Sequence, residues 1–165
     1  MQIKSKIEHN RIEYKANTVL EAYDIKKPVV DVAKIAKGEG IDIKEINMPE
    51  GYSGVAGFYD KSNKVIYIEK NDPPQRKLFS IAHELGHVFL NHQHTTVLFR
   101  ITREDGKYQA EESAANSFAA HLLMPRFMLE EYMQKYNLSK ADYKVLASIF
   151  GVPISSMEYT LEYLK

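Results

Sequence analysis

Apolar residues recur at helical spacing from about Asn10 to Ala36. Ile12, Ala16, Val19, Leu20 and Tyr23 form one series, Pro28 interrupts it, and Val29, Val32, Ala33, Ile35 and Ala36 resume it. The pattern predicts one helix or two, closed by Gly38 and Gly40. Ile41 to Ile46 then alternates apolar and polar with period two, which predicts a half-buried strand. Gly51, Gly54 and Gly57 punctuate a turn-rich stretch, and Val55–Tyr59 with Val65–Ile68 predicts a hairpin turning around Asp60-Lys61-Ser62-Asn63. The expected sheet is small and antiparallel, with Val65–Ile68 either an ordinary core strand or an edge strand able to bind an extended peptide by strand addition.

The next helix has a clear start. Asp72 is placed to cap it, Pro73 to occupy its first position, and Gln75 to complete a capping box. It should run through Arg76 to about Asn91, with Leu78, Ile81, Ala82, Leu85 and Phe89 facing the core. A loop around Arg103-Glu104-Asp105-Gly106 precedes another helix over roughly Glu111 to Met124, stopped by Pro125. Beyond Pro125, Ser139-Lys140-Ala141-Asp142 can cap a helix ending near Phe150. Gly151-Val152-Pro153 turns the chain, and Ser155 or Ser156 can start a last helix. The fold class expected is α+β: a mostly helical domain over residues 1–125, with a helix-turn-helix-like extension over 126–165 packed on it.

Composition narrows the function classes. The 165 residues are 44% hydrophobic, enough for one compact core. Formal net charge is zero, which argues against a strongly electropositive nucleic-acid surface. The absence of cysteine excludes disulfides, thiolate metal sites and cysteine nucleophiles, so any metal must be held by His, Asp or Glu. The opening MQIKSKIEHNRIEY has no apolar signal-like core, no run reaches membrane-spanning length, and a cytoplasmic protein is expected.

The chemistry concentrates at His83-Glu84-Leu85-Gly86-His87. On a helix the two histidines lie one turn apart and can reach one ion, while Glu84, roughly 100 degrees round, can act as general base beside it without ligating. Zinc suits this donor set, since a catalytic site keeps three protein ligands and one open position. The third ligand is expected from the Glu111-Glu112 pair. Glu112 shares a face with Asn116, whose side chain can orient a ligating histidine, whereas Glu111 shares a face with Ala115, Phe118 and Leu122. Glu112 is therefore chosen, with Glu111 the alternative. His92, five residues past His87, falls on another face and is not expected to ligate. His92, His94 or one of the eleven tyrosines can still stabilise an oxyanion, and nothing in the sequence selects among them.

The run from Asp72 to His92, with HELGH at its centre, resembles the ImmA/IrrE family of metallopeptidases, as does Glu112-Ser113-Ala114-Ala115-Asn116-Ser117-Phe118-Ala119-Ala120-His121-Leu122-Leu123-Met124-Pro125. The resemblance extends upstream through Val30–Ala36, Gly40–Ile43 and Ser53-Gly54, and covers residues 28–125. It implies a compact gluzincin-like protease with His83, His87 and Glu112 as zinc ligands and Glu84 as base. It also implies a helix-turn-helix repressor as protein substrate, phage-like or stress-responsive, and a gene on a mobile element. His121 departs from the family pattern, where an acidic or neutral residue is expected, and should face outward.

The tail raises a competing function. Leu146 to Met157 resembles a helix-turn-helix, with Ala147 and Gly151 at the required spacing. A DNA reader needs cations on its second helix, yet residues 155–165 carry Glu158 and Glu162 against Lys165. Direct DNA binding is not expected, and packing or repressor docking is. A non-catalytic module that binds its partner, with zinc structural or absent, is the alternative to an enzyme.

Overall fold

The computed structural model describes residues 2–52, 54–92 and 106–164. The opening helix, α1 (Gln2–Ala22), starts earlier than its apolar series suggested and ends before it. The chain leaves it at Tyr23 and Asp24, the latter at φ 51, so the break precedes Pro28. Residues 23–31 are not helical. Asp31 caps α2 (Val32–Gly38), its carboxylate accepting from the Lys34 amide at 2.9 Å. Gly40, at φ 71, then reverses the chain while its own amide and that of Ile41 bond back to Lys37 and Ala36. This is a Schellman stop, and it feeds directly into the first strand.

The α+β class holds, but the sheet is mixed. Strands β1 (Asp42–Ile46), β2 (Gly57–Asp60) and β3 (Val65–Glu69) lie in the order β1-β3-β2. The hairpin β2–β3 is antiparallel as expected, and β1 runs parallel to β3. Asp60 builds the hairpin turn, its carboxylate accepting from the amides of Ser62 and Asn63 at 3.0 and 3.1 Å. The central position of β3 makes Val65–Ile68 a core strand and rules out the edge-strand reading. Val65, Ile66 and Ile68 are all buried, and an apolar run of this kind suits a strand flanked on both sides. Among the described residues the sheet edges are β1 and β2.

Helix α3 (Pro74–Phe89) begins one residue later than the capping pattern implied. Pro73 sits before another proline and is pushed out of the helical region, at φ −58 and ψ 151, so it takes the cap position itself. Asp72 does not cap; its carboxylate pairs instead with Arg76 at 3.4 Å. Lys77 reaches Glu45 at 2.8 Å and ties α3 to β1. Helix α4 (Gly106–Leu123) opens earlier than Glu111, at Gly106, while Arg103 to Asp105 of the expected loop lie outside the described residues.

After Pro125 come α5 (Arg126–Lys135), a short 3-10 turn over Lys140–Asp142, α6 (Tyr143–Phe150) and α7 (Ile154–Tyr163). The capping box at Ser139 and Asp142 is formed as expected, with both reciprocal bonds present. Neither Ser155 nor Ser156 starts α7; Pro153 takes the cap position, without a side-chain bond. Met128, Leu129, Leu146, Phe150, Met157 and Leu161 are buried in the same apolar cluster as Leu85, Phe118 and Leu122.

Candidate metal centre

The site is built where α3 and α4 approach most closely. Gly86 faces Ala115, and a Cβ at Gly86 would lie 3.0 Å from the Ala115 carbonyl oxygen. The glycine inside HELGH is thus the contact that lets the two helices close. Ala115 and Ala119 are fully buried. Phe89 and Phe118 stack beside it with ring centroids 5.7 Å apart.

This approach brings His83, His87 and Glu112 together. The two Nε2 atoms are 3.0 Å apart. His83 Nε2 lies 3.2 Å from one Glu112 carboxylate oxygen, and His87 Nε2 lies 3.0 Å from the other. Four-coordinate zinc at about 2.0–2.1 Å from its ligands separates them by roughly 3.3 Å. Two imidazole nitrogens and a carboxylate at these separations are a donor set that can hold a metal ion. Glu111 is not part of the cluster; one of its carboxylate oxygens is buried, with no hydrogen-bond partner among the described residues.

Both histidines are held from behind. His83 Nδ1 lies 2.8 Å from the side-chain oxygen of Asn116, the contact expected from the shared face of Glu112 and Asn116. His87 Nδ1 lies 2.9 Å from Nδ1 of His92. The helix end explains how His92 gets there. Asn91 adopts φ 55, its amide bonds to Val88 O at 3.1 Å, and the His92 amide bonds to His87 O at 3.0 Å. That Schellman reversal folds His92 back onto the ring five residues earlier. His92 lies beyond the end of α3, so helical pitch does not fix its position; the reversal brings it to His87. Burial holds its imidazole below the ordinary histidine pKa, and the neighbouring His87 pushes the same way. Asparagine at the end of the helix was the available sequence signal. His94 lies outside the described residues.

A cleft of about 410 Å³ opens onto this cluster. His83, Glu84, Glu112 and Asn116 line it, with Gly54–Gly57 leading into β2 on one side and Pro153 from the tail on another. Glu84 is only 1% exposed as a residue, yet it reaches this cleft. His92 is not among the lining residues. Sequence patterning did not anticipate Pro153, Phe79 or Gly54–Gly57 as cleft walls, because each arrives there through tertiary packing. His121 corrects the expectation of an outward-facing residue: it is half-buried, with its Nε2 3.1 Å from that of His9 on α1.

No helix among the described residues is long and apolar enough to cross a membrane. Comparison with known proteins gives a consistent picture. A protein of Bacillus phage phi105 called uncharacterized immunity region protein 2 is 29% identical over 136 residues, 80% of each chain. The radiation response metalloprotease IrrE of Deinococcus radiodurans is 29% identical over 143 residues, covering 85% of this chain and 42% of that protein. A solved Mycobacterium tuberculosis transcriptional regulator superposes with a TM-score of 0.67 at 18% identity, over 90% of this chain and 45% of the other, which speaks to the fold. The chain therefore spans less than half the length of those last two. The peptidase family model for the IrrE N-terminal-like domain matches residues 36–162, and with that match the chain belongs to the metallopeptidase-type family of the IrrE N-terminal-like domain.

Proposed function

We propose that this chain is a zinc-dependent endopeptidase that cleaves a transcriptional repressor in the cytoplasm. The observation that carries the proposal is the convergence of His83, His87 and Glu112 in one cluster, with His83, Glu112 and Glu84 lining the adjoining cleft. A site that only held metal for structural reasons would need no buried carboxylate next to its ligands. Zinc, when bound, supplies a Lewis acid that draws the pKa of its water towards about 7 and polarises the scissile carbonyl. Nε2 of His83, Nε2 of His87 and the Glu112 carboxylate would be its protein ligands.

The remaining roles belong to the chain's own residues. Glu84 takes a proton from the attacking water and returns it to the amine nitrogen of the departing product. Asn116 fixes the ring of His83 through Nδ1. His87, with Nε2 turned to the metal, carries its proton on Nδ1 and donates it to Nδ1 of His92. The substrate lies extended in the cleft, against the Gly54–Gly57 segment that leads into β2.

A repressor as substrate is supported by the kinship with a phage immunity-region protein and with a radiation-response metalloprotease. Direct DNA contact by the tail is not proposed, because α7 turns Met157 and Leu161 into the core and carries Glu158 and Glu162. The test is incubation with any helix-turn-helix repressor found encoded beside the gene, with and without zinc. Wild type should cut it only with zinc, and Glu84→Gln should lose about 10²-fold or more of the rate while still binding the metal. Cleavage that survives Glu84→Gln removes the base assignment. Binding without cutting by wild type instead makes the protein a non-catalytic partner-binding module.

A further inference from the structure

Away from the cleft, α1 and α4 bring a second pair of histidines together. His9 Nε2 lies 3.1 Å from His121 Nε2, with the rings edge-on at 67° and their centroids 4.7 Å apart. The pair at the candidate metal centre has nearly the same disposition: His83 and His87 present Nε2 atoms 3.0 Å apart, with rings at 74° and centroids 4.8 Å apart. In both, the ring nitrogens distal to the backbone point into one shared space. Residues four apart extend each side of the second pair. Glu13 stands one turn from His9 on α1 and is half-buried. Ser117 stands one turn from His121 on α4, its hydroxyl 3.5 Å from Nδ1 of His9.

We propose that His9 and His121 form a second metal site, for a borderline divalent ion such as Zn²⁺, with the two imidazoles as its protein ligands and water completing the shell. The donor types are those zinc favours, and a separation of 3.1 Å needs to widen only slightly to fit tetrahedral ligands at about 2.0–2.1 Å from the ion. His9 is exposed and free to make that adjustment, while His121 is held in the packed helix. Metal needs both imidazoles neutral. Burial already keeps His121 below the ordinary histidine pKa, with His9 and Arg126 adding to this and Glu13 opposing it. An ion there would clamp the N-terminal helix onto α4, the helix that carries Glu112 and Asn116. The site shares no residue with the centre at His83, so each can be lost without the other.

Equilibrium dialysis of the full chain against Zn²⁺, with the metal counted by atomic emission, tests this. Wild type should bind two equivalents. His9→Ala and His121→Gln should each bind one, and a His83→Ala/Glu112→Ala chain should also bind one. In that last background Zn²⁺ should still raise the melting temperature, and adding His9→Ala should abolish the rise. His9 is exposed, so its variant tests the site without disturbing the core. The proposal is overturned if the His83→Ala/Glu112→Ala chain binds no Zn²⁺, or if His9→Ala and His121→Gln both bind as much as wild type. The first outcome makes the contact an ordinary histidine–histidine hydrogen bond; the second puts the extra ion elsewhere.

Discussion

Gly86 and Ala115 meet so closely that a methyl group on the glycine would sit 3.0 Å from the alanine carbonyl oxygen and 3.1 Å from its Cα. Both obstacles are backbone, and neither can swing aside. Gly86→Ala should therefore push α4 away from α3, destabilising the fold by about 1–3 kcal/mol. Because α4 carries Glu112, the same change should weaken metal binding. Urea unfolding of the metal-free protein and zinc titration measure the two effects. An alanine variant with unchanged affinity would separate the helix contact from the site.

The two histidines of HELGH are braced by different residues, Asn116 behind His83 and His92 behind His87. Removing such a brace leaves the ligands in place but frees their rings. Asn116→Ala and His92→Ala should each lower zinc affinity by roughly 10- to 100-fold. Since the braces act on separate rings, the double variant should lose close to the product of the two factors, as competition titration with a chelating indicator would show.

His121 makes stability depend on pH. Burial depresses its pKa in the folded protein below the ordinary value of 6.5, so the unfolded chain binds its proton first. Above that ordinary value both states are neutral and nothing is lost. As pH falls through it towards the lower folded value, the folded state is progressively penalised. The depressed carboxylates of Asp60 and Asp142 stay ionised over this window and do not contribute. Unfolding in chelator between pH 7.5 and 5 should show wild type losing stability more steeply than His121→Gln. Parallel curves would place the acid sensitivity elsewhere.

The capping box at Ser139 organises the entry to the tail. Its hydroxyl accepts from the Ala141 amide at 3.2 Å, and Asp142 accepts from the Ser139 amide at 2.8 Å. Ser139→Ala should cost about 1 kcal/mol, within the usual range for a lost cap. Thermal melts of the two proteins check it, and the metal affinity should not change because the box is remote from the cleft.

Much of the site was legible before any coordinates. The pentapeptide carries its own geometry, because helical pitch alone places His83 over His87 and offsets Glu84. The choice of Glu112 over Glu111 also followed from pitch, since only one face of α4 pairs a carboxylate with Asn116 while the other is apolar. The helix stop at Gly40 and the box at Ser139 were equally local. Each of these depends on residues within a few positions of one another, where covalent geometry dictates what meets what.

What failed to show in the sequence depends on distant segments. Alternation predicts a strand but not its direction, so β1 could be found parallel to β3 and β3 central only once the sheet was assembled. The two prolines at 73 and 74 moved the start of α3 because the first had to yield to the second. His92 reached His87 through a left-handed Asn91, and His121 reached His9 because α1 lies along α4. The sequence by itself determined the three side chains that can hold a metal, the carboxylate of Glu84 beside them and the helices that carry them. Only the tertiary structure decided that α3 and α4 close through Gly86 and Ala115 to make one cluster of those residues, because that contact joins segments far apart in the sequence, which local spacing does not relate.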